Sequence, residues 1–305
     1  MRAMVLAAGL GRRLLPLTSL WPKCLMPVGD QPLLLLALLK LFRLGAINAV
    51  VNTHHLAPHV ASFLNRLAIG LPVIISHELE LLGTGGALVR ARAHFKEDPL
   101  WLINADIWCD ADLSLLGDAM ERHSPIACLG MVNDPRFNSV AVDDSGRLLG
   151  VRGYAALPQG APLFTYSGLG CLHPRLLDYL PVSGPSNLVD AWHRALAAGE
   201  TIICLPLAGQ WNDLGAWQDL WRANCELAMA GEEKILMGPG AVIDRAAQVR
   251  GFCFMGEHCL IEAGALVKNS LLLPGAKVSA GARVENAILG KDFVARGVLS
   301  NGAFA

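Results

Sequence analysis

The sequence predicts an α/β protein, with a doubly wound, mostly parallel sheet over residues 1–232 and a short parallel β-helix over 233–305. Three observations carry that expectation. Through the first hundred residues, apolar runs that read as strands buried on both faces alternate with helical stretches. The first of these runs, Met4-Val5-Leu6-Ala7-Ala8, passes directly into Gly9-Leu10-Gly11-Arg12-Arg13. From residue 238 the texture changes, and aliphatic residues recur every six positions at Ile243, Val249, Met255, Ile261, Val267 and Leu273. The register then slips by one to Val278 and Val284. A six-residue apolar repeat with Gly and Ala between its members, and no helical period, indicates a parallel β-helix.

Composition narrows the function classes. Lys plus Arg number 25 against 26 for Asp plus Glu. No global field therefore recruits nucleic acid or an anionic membrane. A hydrophobic fraction of 53% fits fully buried strands. The longest apolar run, 32–44, is interrupted by Lys40 and Arg43 and is too short to span a bilayer. The N-terminal run ends in Gly-Leu-Gly-Arg-Arg rather than a small-residue cleavage site, so it does not read as a signal peptide. The eight cysteines lack metal-type spacing and sit in apolar contexts such as Ile203-Cys204-Leu205. They are expected to be reduced core thiols of a cytoplasmic protein.

Taken in order, the first strand delivers a loop whose bare N–H groups and neighbouring cations, Arg12, Arg13 and Lys23, suit a phosphate chain. Leu14 stands where a third glycine would complete a dinucleotide fingerprint, and no Gly-Lys-Ser/Thr marks a Walker loop. Asp30 is expected to cap a helix with Pro32 in its first turn, continuing through Leu33–Leu44. Ala49–Thr53 reads as the second strand, with His54-His55 at its carboxyl end, where α/β sheets place ligands. Adjacent histidines point in different directions, so a loop role is expected of them. Residues 57–68 read as a helix and Val73–Ile75 as a strand. Gly83-Thr84-Gly85-Gly86 then permits close backbone approach at the next helix start. Trp101–Asn104 is a strand followed by Asp106. Short strands at 126–132, 138–142, 148–152 and 164–172 fill the middle. Helices at 187–198 and 215–230 follow, with Trp192, Trp217 and Trp221 as core residues.

The run Leu6-Ala-Ala-Gly-x-Gly-x-Arg13, then Pro16-Leu17-Thr18, then Pro22-Lys23-x-Leu25-x-Pro27-Val28, resembles the N-terminal signature of the sugar-1-phosphate nucleotidyltransferases, which make nucleotide sugars. Leu82-Gly83-Thr84-Gly85 and Trp211-Asn212-Asp213-Leu214-Gly215 extend the resemblance. It implies a Rossmann-like sheet, a left-handed β-helix of hexapeptide repeats, and two substrates, a nucleoside triphosphate and a sugar 1-phosphate. It also implies roles. Arg13 would hold the β/γ-phosphates and Lys23 would neutralise the α-phosphate. Leu6, Ala8, Gly9, Gly11, Glu78, Gly83 and Thr84 would bind the nucleotide. Glu78 stands where the family carries a base-reading Gln or Glu, and a carboxylate accepting from guanine's N–H groups favours that base. Asp106 and Asp213 would hold Mg²⁺, which accepts one or two carboxylates plus phosphate oxygens and waters.

Asn104, Ser167 and Gly168 fall in the sugar-phosphate pocket by the same resemblance. One departure stands out. Where many relatives carry Glu-Lys-Pro, this chain reads Val151-Arg152-Gly153-Tyr154, leaving Arg152 as the substitute cation.

The expected reaction is guanylyl transfer to mannose 1-phosphate or a related hexose or heptose phosphate, with uridylyl, thymidylyl, adenylyl and cytidylyl transfer open. The missing Glu-Lys keeps a non-catalytic nucleotide-sugar-binding subunit in view; Arg13, Lys23, Asp106 and Asp213 oppose it. A dehydrogenase domain is excluded by the glycine spacing and by Thr53-His54 where an acid would close the second strand. Self-association through the open ends of the β-helix is expected, with no nucleic-acid or membrane partner.

Overall fold

The computed structural model describes residues 1–305. The chain divides into two compact units. One comprises Met1–Gly9, Ala37–His54 and Ala61–Trp211; the other comprises Leu10–Leu36, His55–Val60 and Asn212–Ala305.

The first unit is built on a nine-stranded sheet. Its strands are β1 (Arg2–Leu6), β2 (Ala49–Thr53), β3 (Val73–His77), β4 (Leu100–Asn104), β5 (Ala127–Val132), β6 (Val140–Val142), β7 (Leu148–Val151), β8 (Leu163–Leu172) and β9 (Ile202–Pro206). β4, β1, β2 and β3 lie side by side and parallel, pairing Ile103 with Val5, Val5 with Val51, and Val51 with Ile75. Their apolar sequences follow from this position, since inner parallel strands are covered on both faces. β8 runs antiparallel beside β4 and reverses the sheet's direction; β5 and β6 pair with it, β9 runs parallel to β5, and β7 closes the far edge against β6.

The helices of the chain are α1 (Leu33–Arg43), α2 (Ala57–Arg66), α3 (Gly83–Ala91), α4 (Ser114–His123), α5 (Leu188–Ala197) and α6 (Trp217–Ala230). The core of the first unit gathers Met4, Val50, Leu88, Leu102, Leu129 and Trp192. The Trp192 ring meets Tyr166 edge-on at 5.1 Å, a favoured aromatic geometry.

One expected element differs. Pro27–Val28 and Gln31–Pro32 form a two-residue antiparallel pair turned at Gly29 (φ +66°), so Asp30 is an exposed turn residue and caps nothing. Pro32 precedes the helix, and Leu33 opens it by donating to the Met26 carbonyl at 3.0 Å.

The second unit carries two all-parallel ladders. Five strands, Ile235–Met237, Gln248–Met255, Leu266–Leu272, Arg283–Leu289 and Val298–Phe304, form one. Val242–Ile243, Leu260–Ile261, Lys277–Val278 and Val294–Ala295 form the other. The six-residue repeat maps onto columns of these ladders: Ile243, Ile261, Val278 and Ala295 stack in register, as do Val249, Val267, Val284 and Leu299. From Ile243 to Ile261 the chain takes eighteen residues, three hexads; from Ile261 to Val278 it takes seventeen. The slip in the sequence repeat is this one-residue shortening.

Asn269, Asn286 and Asn301, all at positive φ, stack at one corner, the amide of each of the first two donating to the next at 3.3 and 3.2 Å. Asparagine tolerates that backbone region better than other non-glycine residues. α6 is pinned to this unit by polar contacts. The Trp221 indole donates to the Asn269 carbonyl at 2.7 Å. Buried Asn224 accepts from Gly29 N–H (2.7 Å) and donates to the Pro27 carbonyl (3.0 Å).

No helix of the chain is long and apolar enough to cross a membrane. None of the eight cysteines forms a disulfide, and seven are buried; desolvation pushes the Cys128 and Cys204 thiols up to about 12.

Ile261 is fully buried, whereas Val298 is 72% exposed. Ile261→Ala is expected to lose about 2–5 kcal/mol in urea denaturation. Val298→Ala should change stability by less than about 0.5 kcal/mol.

Candidate active site

Within the first unit, the carboxyl ends of β1, β2 and β4 open into a cleft of about 230 Å³. Leu6, Ala8, Gly9, Gly83, Thr84, Asn104 and Asp106 line it, joined by Asn52 and Leu81. Seven of the residues singled out from sequence are thus brought to one cavity, at the edge where parallel sheets bind ligands.

The wall of this cleft is held by a short relay. As the chain leaves β1, the Ala7 N–H donates to Asn52 Oδ1 at 2.7 Å. Asn52 Nδ2 donates to Glu78 Oε1 at 2.7 Å, and the Leu82 N–H donates to Glu78 Oε2 at 3.0 Å. Asn52 is 3% exposed and Glu78 1%. The Glu78 backbone is fixed as well: its N–H donates to the Thr53 carbonyl, and its own carbonyl accepts from His54 Nδ1 at 2.9 Å. The carboxylate read from sequence as a base contact is therefore engaged inside the chain at both oxygens.

The glycines at the start of α3 answer to a neighbouring segment. The Ser186 carbonyl accepts from the N–H groups of Gly85 (2.9 Å) and Gly86 (3.4 Å). A β-carbon on Gly83, itself at φ +70°, would stand 2.6 Å from that same oxygen. Thr84 Oγ1 donates to Asn187 Oδ1 at 3.3 Å and accepts from the Leu188 N–H at 2.9 Å. Segment 184–188 thus fills the space these small residues vacate, and two helix-start donors are used internally.

Gly168, at φ +79°, backs onto Asn104: a β-carbon there would lie 2.9 Å from Asn104 Nδ2. Ser167 is fully buried in β8, its Oγ accepting from the Leu169 N–H at 3.3 Å and its carbonyl accepting from the Trp211 indole at 2.8 Å. Arg152 lines a different cavity, about 410 Å³ with Leu157, Pro158 and Leu163 in its wall. Ser167 and Arg152 are not among the cleft's lining residues.

The second unit holds Arg13, Lys23 and Asp213. Gly11, at φ +64°, accepts from Thr18 Oγ1 at 2.9 Å, and a β-carbon on it would press on Thr18 Cγ2 (2.6 Å) and Lys23 Cβ (3.2 Å). The Thr18 carbonyl in turn accepts from His55 Nε2 at 2.7 Å, so the two adjacent histidines have separate structural partners. Lys23 begins a single tight turn, Lys23–Leu25, directly after Pro22. Arg13 Nη2 reaches both oxygens of Asp213, at 3.1 and 3.3 Å. Arg13 is 54% exposed and Asp213 15%. Gly215 makes the pair possible, because a β-carbon there would overlap the Arg13 guanidinium and stand 2.6 Å from Asp213 Oδ1.

No group of three or more His, Cys, Asp or Glu side chains gathers anywhere in the chain. A hard cation that takes one or two carboxylates and completes its shell from substrate does not need one. Asp213, already facing a cation, is a carboxylate of that kind.

Asn52, Ser186 and Gly215 are the residues whose roles emerge only here. Asn52 had a signal in the sequence, as an amide inside the otherwise apolar strand Ala49–Thr53. Ser186 had none.

Residues 2–230 match the Nucleotidyl transferase family, and the chain belongs to it. Among curated relatives, it is 24% identical over 344 residues to a UTP–glucose-1-phosphate uridylyltransferase of Synechocystis sp., covering 95% of this chain and 88% of that protein. It is 27% identical over 276 residues to the mannose-1-phosphate guanylyltransferase catalytic subunit beta of Drosophila pseudoobscura pseudoobscura, covering 85% and 72%. Among solved structures, a UDP-glucose pyrophosphorylase from Acinetobacter baumanii superposes with a TM-score of 0.63 at 19% identity, covering 76% of this chain and 95% of that one. The fold is shared with it.

Gly215→Ala is expected to drive Arg13 off Asp213 and to lower pyrophosphate release by a factor on the order of 10², the scale for misplacing a positioned charge. Circular dichroism should show the fold retained.

Proposed function

We propose that the protein transfers a nucleotidyl group from a nucleoside triphosphate to a sugar 1-phosphate, giving a nucleotide sugar and pyrophosphate. The observation that carries this is the convergence of Leu6, Ala8, Gly9, Gly83, Thr84 and Asp106 on one cleft at the carboxyl edge of the parallel strands. The family match supports the reaction class, and the named activities of the relatives support sugar phosphates as acceptors. GTP with mannose 1-phosphate, or a related hexose or heptose phosphate, is our first assignment. It rests on the carboxylate at Glu78 and on the guanylyltransferase relative.

In the reaction, an oxygen of the sugar phosphate attacks the α-phosphorus in line. A P–O bond forms there as the bond to the departing pyrophosphate breaks. No covalent nucleophile is needed; positioning and charge neutralisation suffice. Arg13 would stabilise pyrophosphate as it leaves, and Lys23 would offset charge growing on the α-phosphate. Asp106 and Asp213 are the carboxylates assigned to Mg²⁺, which would supply further neutralisation of the phosphate oxygens. Asn104 and Gly168 would border the sugar. Arg152 would replace the absent Glu-Lys only if the loop following it moved toward substrate. Catalysis is assigned to residues 1–232. The parallel ladders of 233–305 are assigned as coils of a left-handed β-helix, whose open ends would serve self-association.

The test is a matrix of five nucleoside triphosphates against a panel of sugar 1-phosphates, read as pyrophosphate release. The largest signal is expected with GTP and mannose 1-phosphate, lost on chelation and restored by Mg²⁺. Lys23→Ala or Asp106→Ala should lower turnover by about 10²–10³ without unfolding the chain. Release from no pair would leave a non-catalytic binding subunit as the better reading, and wild-type rates in both variants would refute the roles given to Lys23 and Asp106.

A further inference from the structure

The polar relay behind the cleft obeys a parity rule that fixes its chemistry. Two backbone donors, the N–H groups of Ala7 and Leu82, point into the same buried space from opposite walls. Asn52 receives the first donor on its oxygen and must therefore present its NH₂ group onward. The next group thus meets one donor from Asn52 and one from Leu82, so it must accept at both ends. Only a carboxylate does so. A glutamine would turn its NH₂ against one N–H or the other, whichever way its amide, or that of Asn52, were rotated. With Asn52 and Glu78 at 3% and 1% exposure, water has little access to repair the mismatch.

We propose that Asn52 is a positioning residue for nucleotide binding, tying the loop after β1 to the entry of α3 through the carboxyl group of Glu78, which accepts at both oxygens. This rests on the nucleotidyl-transfer reading above. Ala8 and Gly9 follow the first anchored amide, and Gly83 and Thr84 follow the second. All four line the cleft. The gap between these two walls is set by three hydrogen bonds of 2.7, 2.7 and 3.0 Å. A triphosphate bound there would use that gap, so the relay acts on nucleotide affinity. Nothing in it touches an acceptor sugar.

Amide hydrogen exchange on the ligand-free chain reads the relay directly. Asn52→Ala should accelerate exchange at Ala7, which loses its acceptor, and at Leu82, thirty residues from Asn52 in sequence, whose carboxylate partner is no longer held. Glu78→Gln should release one of the two donors and leave the other protected. The double variant should re-protect Leu82 relative to Glu78→Gln, because the glutamine is then free to turn its oxygen toward that N–H. Such non-additivity marks groups that act as one unit. If Asn52→Ala leaves Leu82 exchange unchanged, or if Glu78→Gln disturbs neither amide, the relay is refuted.

Binding completes the test. Calorimetry with GTP and Mg²⁺, and with UTP and Mg²⁺, is expected to show Kd raised on the order of tenfold in Asn52→Ala. KM for the sugar phosphate at saturating nucleotide should stay within twofold. Leu176→Ala, a core variant of similar melting loss, should leave Kd unchanged. Unchanged Kd in Asn52→Ala overturns the positioning role, as does an equal loss in Leu176→Ala. A wild-type chain that binds none of the five nucleoside triphosphates would instead overturn the nucleotidyl-transfer reading, while the exchange result still decides whether the relay exists.

Discussion

Two backbone N–H groups facing each other across buried space are the constraint from which the cleft's architecture follows. A parallel strand that ends at the middle of a sheet leaves its next amide with no ladder partner, and a buried unpaired N–H is costly. At Ala7 the chain meets this cost with a side chain from the neighbouring strand; at Leu82 it does so with a carboxylate. Joining the two through Asn52 and Glu78 satisfies both donors at once. The same joining places the Glu78 carboxyl group, 1% exposed, in the wall of the sheet with both of its oxygens hydrogen-bonded. The loop after β1 and the entry of α3 are joined by these hydrogen bonds.

The glycines follow a similar logic. A Gly-rich turn at the head of a helix invites the reading that a ligand needs bare backbone. Here Gly83 and Gly86 meet carbonyl oxygens of Ser186 and Gly184, and Gly85 meets the Ser186 hydroxyl oxygen. Gly168 gives way to Asn104, and Gly215 to Arg13. In each case the missing side chain admits another part of the same chain to a place where it holds or forms the cleft or the ion pair. Thr84 and Asn104 in the cleft wall, and Arg13 in its ion pair, are thus braced from behind by the chain itself. Preorganisation of that sort is what a reaction run by positioning and electrostatics requires.

Much of this was legible in the sequence, and the rest was hidden for identifiable reasons. The strands β1, β2 and β4 and the helices near 188–197 and 217–230 came within a few residues of their expected bounds, because continuous burial and helical periodicity are local signals. The six-residue repeat revealed the columns of the parallel ladders and even their shortened step. The Asp30 cap failed because Gly29-Asp30 makes a hairpin turn whose partner strands are only two residues long, below any periodic signal. Ser167 and Arg152 were assigned by resemblance, and neither lines the cleft. The Asn52–Glu78 relay joins residues twenty-six apart, and Ser186 reaches Gly85 across a hundred. Such pairings are set by topology, and one sequence carries no record of them.

The Arg13–Asp213 pair is best understood by what it does not contribute. An ion pair with one partner more than half exposed is worth at most about 1 kcal/mol to the fold, so it is not there for stability. Its geometry nonetheless parks the guanidinium against a carboxylate whose other prospective partner is a cation. A charge-assisted bond from Arg13 to a phosphate oxygen would be at least as strong as the one it gives up, and a divalent ion on Asp213 would replace the lost positive charge. The exchange would therefore swap one charge-assisted contact of Arg13 for another of the same kind. Gly215, by leaving room for the guanidinium beside that carboxylate, keeps the resting arrangement available without making it hard to leave.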